Sequence, residues 1–114
     1  MISEKLKKEI VEWHTKTFPK ATKDSQLAKL EEEILELKEA NTKTREGLFK
    51  GFVDVYIVSL VLARRYNSMI GQFIEDTSSV CSLDDNFDFL VKEKFEINKK
   101  RKWVEAGTTY HHED

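Results

Sequence analysis

The chain has 114 residues, which is enough for one small domain and too few for two separate hydrophobic cores. Nineteen basic residues nearly balance twenty-one acidic ones, and a net charge of −2 gives no support for a nucleic-acid partner. The single cysteine, Cys81, excludes an internal disulfide and therefore the disulfide-rich secreted scaffolds.

The low number of helix-breaking residues, four glycines and one proline, favours a helical protein. Ser3 is the predicted cap of a first helix from about Glu4 to Lys16. This helix ends before Pro19, because proline disfavours helix in the residue ahead of it. A second helix is predicted behind Asp24 or Ser25 and extends to about Ala40. Its apolar residues recur at three-four spacing and so share one face: Leu27, Leu30, Ile34 and Leu37.

The second helix also carries a strip of acidic residues. Glu33, Glu36 and Glu32 follow one another around one side of the apolar face at about 100° per residue. Carboxylates three or four residues apart repel each other, so the strip needs compensation. It is either a solvated face neutralised by Lys29 and Lys38 or a site for a hard divalent cation, which prefers carboxylate oxygens.

The third helix, predicted from about Thr44 to Asn67, is apolar on nearly every side between Phe52 and Ala63. A helix of this kind is buried all round, and because one small core does not readily enclose it, we expect an oligomer. The twelve-residue apolar stretch contains Asp54 and is too short to cross a bilayer. The first ten residues mix charged and apolar side chains, unlike a signal peptide. We therefore expect a cytoplasmic protein without a membrane partner.

Asp54 is unusual because an ionised carboxylate in an apolar helix is costly unless it is paired or bound to metal. One interpretation pairs it with Lys50, four residues earlier. The other places it opposite Glu33 and Glu36 across the bundle, where it completes a metal site built from facing helices. The residues alone leave both interpretations open.

A loop-like stretch from Thr77 to Asp85 follows the third helix. Asp84 or Asp85 is the predicted cap of a fourth helix that reaches about Val104, and residues 105–114 are expected to form an irregular tail. These elements predict an all-α bundle of four helices.

The fourth helix changes character along one face. Its apolar stripe continues, at spacings of three and four, into polar and cationic residues: Phe87, Leu90 and Val91, then Lys94, Asn98 and Arg101. Because the apolar half must face the bundle, the cationic half points toward the same interior or its mouth. Cations and an amide beside an acidic metal site suit a polyphosphate. The alternative is a solvated helix end with ordinary surface cations.

Four segments in this order resemble those of the MazG-like all-α nucleoside triphosphate pyrophosphatases, especially the short phage and bacterial members. They are Trp13 with Thr17-Phe18-Pro19, KLEEEILEL (29–37), FVDVYIV around Asp54, and EKFEINKKRKW (93–103). The segment GTTYHH (107–112) is similar to the tails of some relatives. The resemblance covers most of the chain and implies one helical MazG-like domain over residues 1–104.

The resemblance implies hydrolysis between the α- and β-phosphates of a (deoxy)nucleoside triphosphate, which yields a monophosphate and pyrophosphate in nucleotide-pool control or house-cleaning. Glu33, Glu36 and Asp54 match ligand positions for Mg²⁺, or Mn²⁺, which would activate water and polarise the phosphates. Glu32 is a candidate ligand or base.

The resemblance also implies how the substrate is bound. Lys94, Asn98 and Arg101 would hold phosphate charge. Trp13 and Phe18 either help to stack a base or belong to the core. Family members form homodimers or homotetramers, which agrees with the oligomer expected from the third helix. The roles of the three histidines stay open: His14 has no assigned role, and His111 and His112 are metal ligands or solvated tail residues.

One position departs from the family pattern. The second signature, ExxD, would place a glutamate three residues before Asp54, where this chain has Gly51. Glu46 does not replace it, because eight residues span about 12 Å along a helix axis. Since Mg²⁺ keeps several waters and takes substrate oxygens, three carboxylates would suffice at reduced affinity. The alternatives are a nucleotide-binding protein that does not hydrolyse its ligand and a plain helical oligomerisation module.

Overall fold

The computed structural model describes residues 2–39, 43–78 and 85–113, with Asp85 described by its backbone only. These ranges contain five helices and a two-stranded hairpin: α1 Glu4–Thr17, α2 Lys23–Glu39, α3 Arg45–Tyr66, α4 Met69–Thr77, α5 Asp85–Lys100, β1 Lys102–Ala106 and β2 Thr109–Glu113. The predicted mainly helical character is confirmed. None of the described helices is both long and apolar enough to span a membrane.

The first two helices begin at hydroxyl side chains. Ser3 accepts a hydrogen bond from the backbone N–H of Leu6 at 3.1 Å, so the predicted cap of α1 is confirmed. The predicted cap of α2 is wrong, because α2 begins behind Thr22. The Thr22 hydroxyl accepts from the Ser25 N–H at 3.1 Å, and the Ser25 hydroxyl accepts from the Thr22 N–H at 2.9 Å. This reciprocal pair satisfies two N–H groups at once, which favours the earlier start.

The central element is α3, which packs against the other four described helices. Tyr56, Leu60, Val61 and Leu62 are at most 1% exposed. The argument that one chain does not enclose this helix is therefore wrong. The reason is α4, which the sequence analysis did not predict and which covers α3. The oligomer itself stays a prediction.

The short helix α4 lies against α3 at van der Waals distance. Asn67 ends α3 in the left-handed conformation (φ 53°), and the Ser68 hydroxyl then accepts from the Gly71 N–H at 3.3 Å. A Cβ on Gly71 would stand 2.7 Å from both the Ala63 nitrogen and the Leu62 Cβ. Glycine thus permits this contact. Of the predicted loop, residues 79–84 lie outside the described residues, as does the candidate cap Asp84.

The C-terminal residues form a hairpin where an irregular tail was expected. The helix α5 ends at Lys100, before the predicted Val104, and β1 and β2 pair antiparallel with Trp103 opposite His112. Gly107 supplies the positive φ (66°) of the turn between the strands. The predicted domain boundary at residue 104 falls inside β1. The hairpin is held on the helices by Tyr110, whose ring stacks on Phe18 with centroids 3.6 Å apart.

Candidate active site

A cleft of about 230 Å³ opens where α1, α2, α3, α5 and the hairpin meet. Seven of the eight predicted site residues line it: Trp13, Glu33, Glu36, Asp54, Lys94, Asn98 and Arg101. The eighth, Glu32, is not among the lining residues of this cleft. Its side chain is 66% exposed and pairs with Lys29 at 3.6 Å, so its position gives no support for a role as ligand or base.

Three carboxylates from two helices, Glu33 and Glu36 on α2 and Asp54 on α3, form what we call the acidic group. Burial raises the pKa of Glu33 to about 7, and the negative charges of Asp54 and Glu36 act in the same direction. Lys29, at 3.4 Å from Glu33, opposes this effect. The three carboxylates therefore influence one another electrostatically across the cleft; a metal site shared by all three stays a prediction.

The ion pair of Asp54 differs from the interpretation based on helix spacing. Its carboxylate lies 3.5 Å from the Lys94 ammonium on α5, whereas Lys50 pairs with Glu46 at 3.4 Å. The Asp54–Lys50 interpretation is therefore wrong. Lys94 reaches Asp54 because it lies on the face of α5 that packs against α3. Among the described residues, no three His, Cys, Asp or Glu side chains are grouped closely enough to hold a metal ion. In this structure, Lys29 and Lys94 compensate the negative charge of the acidic group.

The polar end of α5 is organised around Asn98. Its side-chain oxygen accepts a hydrogen bond from Arg101 at 3.5 Å, and its backbone oxygen accepts one from the Trp103 indole N–H at 2.8 Å. Arg101 and Lys94 both line the cleft beside the acidic group. One wall is therefore cationic and faces an anionic one, an arrangement suited to a ligand that carries phosphates together with a divalent cation.

A hydrogen-bond chain that the sequence analysis missed connects the hairpin to three helices. Arg65 donates to His14 Nδ1 at 2.9 Å, His14 Nε2 lies 2.9 Å from the Tyr110 hydroxyl, and that hydroxyl donates to Gln26 Oε1 at 3.2 Å. Burial, followed by the charge of Arg65, lowers the pKa of His14 to about 3, so the ring is neutral at pH 7. Burial raises the pKa of Tyr110 to about 12.

Aromatic rings occupy the part of the cleft next to this chain. Trp103 contacts Trp13, Phe18, Tyr110 and His112 edge-on, with centroid distances from 5.2 to 6.4 Å. Trp13 is half-buried, and its ring is both a cleft wall and a core contact. Phe18 is 2% exposed and also lines the cleft. His112 lines the cleft whereas His111 is exposed. Gly107, in the turn between two five-residue strands, is a signal in the sequence for the hairpin that carries Trp103 and Tyr110.

Comparison with protein-family models, with curated proteins and with solved structures finds no match to this chain.

Proposed function

We propose that this protein is a magnesium-dependent nucleoside triphosphate pyrophosphohydrolase of the MazG-like type, acting in the cytoplasm on the nucleotide pool. It converts a (deoxy)nucleoside triphosphate to the monophosphate and pyrophosphate. One observation carries the proposal: the carboxylates of Glu33, Glu36 and Asp54 line the same cleft as Lys94 and Arg101. Opposed anionic and cationic walls are what a metal–triphosphate complex requires.

The acidic group has the chemistry of a magnesium site. Carboxylate oxygens are the protein ligands that Mg²⁺ prefers, and this ion fills its remaining positions with water and substrate oxygens. Glu33, Glu36 and Asp54 would hold it, and a bound cation would offset the burial and the negative charges of Asp54 and Glu36 that together raise the pKa of Glu33. When bound, Mg²⁺ neutralises phosphate charge and activates the attacking water.

Two cationic side chains of the cleft, Lys94 and Arg101, bind the phosphates in this proposal. Without ligand, Lys94 neutralises Asp54 at 3.5 Å. With a divalent cation held by the acidic group, Lys94 would be released from Asp54 and would bind a phosphate oxygen of the substrate. Arg101, which Asn98 orients, offers a fixed planar set of donors to a neighbouring phosphate. Both cations then stabilise the charge that builds up on the leaving pyrophosphate.

The assembly we propose is a four-helix bundle of the MazG-like type, extended by α4, that forms a homodimer or homotetramer. Support for association comes from large apolar side chains on the surface of α4. Met69, Ile70 and Phe73 are 87, 56 and 69% exposed. Apolar patches of this kind are typical of protein–protein contacts.

A second candidate is a nucleotide-binding protein that does not hydrolyse its ligand. Two observations favour it: Gly51 stands where the family has an acidic ligand, and Lys94 already compensates Asp54. Such a protein would be stabilised by nucleotide through mass action, because binding favours the folded state, without releasing pyrophosphate.

The test is pyrophosphate release from a panel of dNTPs with Mg²⁺. We expect turnover of at least one dNTP and a loss of at least about 100-fold in rate for Asp54→Ala and Glu36→Ala, since each removes several kcal/mol of charge stabilisation. Glu46→Gln is the matched control, because Glu46 is an exposed α3 carboxylate that pairs with Lys50. A rise in melting temperature without pyrophosphate would favour the second candidate. Absence of both effects would leave only a helical oligomerisation module.

A further inference from the structure

The hydrogen-bond chain that ends at the cleft has a direction fixed by chemistry. The Arg65 guanidinium can only donate, so His14 Nδ1 must accept. The neutral ring then carries its proton on Nε2, which donates to the Tyr110 oxygen 2.9 Å away. The Tyr110 hydrogen is left for Gln26, whose Oε1 accepts it at 3.2 Å.

This direction determines which atom Gln26 presents to a ligand. Its carbonyl oxygen is already engaged by Tyr110, so the amide nitrogen is the group left to face the cleft, where it can only donate. The residue is 1% exposed. A ligand that supplies an acceptor at this end of the cleft would pair with this donor.

The surroundings of this donor suit a planar heterocycle. Trp13, Trp103 and Tyr110 line the same part of the cleft, and aromatic rings of this kind pack against a nucleobase. Gln26 precedes Glu33 by seven residues, which places it about 10 Å from the acidic group along the axis of α2. This separation leaves room for the sugar between the phosphates and the base.

We propose that this end of the cleft seats the nucleobase and that Gln26 determines specificity, favouring bases with a carbonyl oxygen (guanine, uracil or thymine) over bases with an amino group at the same position (adenine or cytosine). The proposal rests on the proposed function for the presence of a nucleotide. The physical basis is that a donor held in one orientation hydrogen-bonds a carbonyl oxygen and opposes an amino group. Arg65 and His14 are positioning residues, since they act on the ligand through Gln26, whereas Tyr110 both lines the base site and orients Gln26.

The experiment compares bases of equal size, so that the shape of the cleft does not enter. Calorimetry measures the binding of α,β-imido analogues, which cannot be cleaved between the α- and β-phosphates, in the presence of Mg²⁺. We expect the dGTP analogue to bind about tenfold tighter than the dATP analogue, or the dUTP analogue about tenfold tighter than the dCTP analogue, as one neutral hydrogen bond provides. In Gln26→Leu we expect the ratio of the two affinities, carbonyl base over amino base, to be close to one.

Two tyrosine variants separate specificity from folding. Tyr110→Phe keeps the ring but removes the hydroxyl that orients Gln26, so the ratio falls while the stacking on Phe18 stays. Tyr66→Phe is the matched control, because it removes a hydroxyl that donates to the Ala21 carbonyl at 2.8 Å without lining this cleft, and it leaves the ratio unchanged. Should Gln26→Leu fail to fold, the comparison of the two tyrosine variants decides the question.

The outcomes distinguish this inference from the proposed function. Equal or tighter binding of the amino bases by the unmodified protein overturns the inference, as does an unchanged ratio in Gln26→Leu and Tyr110→Phe. If dNTPs are nevertheless hydrolysed, the proposed function stands and only the base assignment is wrong. If no analogue binds and no pyrophosphate is released, both are wrong.

Discussion

Two buried titratable side chains, His14 and Glu33, make stability depend on pH in opposite directions. The pKa of His14 is lowered from 6.5 to about 3, so its contribution is complete above pH 6.5 and is lost as the pH falls toward 3. The pKa of Glu33 is raised from 4.5 to about 7, so its contribution is complete below pH 4.5 and is lost as the pH rises toward 7. Between pH 4.5 and 6.5 the two slopes offset each other.

We predict that single substitutions reveal each slope. His14→Gln leaves the Glu33 effect, so the free energy of unfolding should fall by up to about 1.4 kcal/mol per pH unit from pH 4.5 to 6.5. Glu33→Gln leaves the His14 effect, and unfolding free energy should rise by a similar amount over the same range. Urea denaturation in EDTA at several pH values measures both. Parallel curves for the two variants would contradict the assignments.

At the scale of elements, the packing of α4 on α3 depends on Gly71. A methyl group there would lie 2.7 Å from the Ala63 backbone nitrogen and 2.8 Å from the Ser59 backbone oxygen, and backbone atoms do not move aside easily. We predict that Gly71→Ala lowers the free energy of unfolding by about 1–3 kcal/mol, the usual cost of overpacking, although alanine is the better helix former. Urea denaturation measures the change. Gln72→Ala, which removes an exposed polar side chain of the same helix that donates to Asp76 at 2.9 Å, is the control and should be close to neutral; equal effects would refute the close-packing argument.

The elements also show which features the sequence predicts. Helical periodicity identified α1, α2, α3 and most of α5, because each presents an apolar face that repeats over several turns. The acidic group and Lys94 could be anticipated for the same reason, since position on a helix face fixes direction. Periodicity over nine residues was too short to indicate α4. The hairpin was missed because its stability comes from Tyr110 and Trp103 packing on distant helices rather than from its own pattern.

The same limit explains the missed half of the cleft. Gln26 looks like an ordinary polar residue in a charged helix, and its role depends on Tyr110, 84 positions later. In the sequence, His14 likewise looks like an ordinary surface residue. In the structure, both of its ring nitrogens are hydrogen-bonded, one to Arg65 and the other to Tyr110. A single sequence does not reveal which side chains meet across such separations, so hydrogen-bond chains of this kind emerge only from the fold.

For the whole molecule, the cleft exists because α2 and α3 bring acids to one wall while α5 and the hairpin bring cations and rings to the others. The chain is nearly neutral overall, with a net charge of −2, and side chains of both charges line this cleft. Lysines 29 and 94 balance the acidic group in the absence of a ligand. The central claim is that, when a triphosphate binds in the cleft, a divalent cation takes over from these lysines in neutralising the acidic group.

Calorimetric titration with Mn²⁺, in the presence of an α,β-imido dNTP, tests this claim most directly. We predict that Asp54→Asn and Glu36→Gln each weaken Mn²⁺ binding by about 10- to 100-fold or more, the range that even outer-shell partners of metal ligands show. The exposed carboxylate variant Glu46→Gln should bind Mn²⁺ like the unmodified protein. Affinities of all three variants equal to that of the unmodified protein would contradict the claim that these acids share one cation.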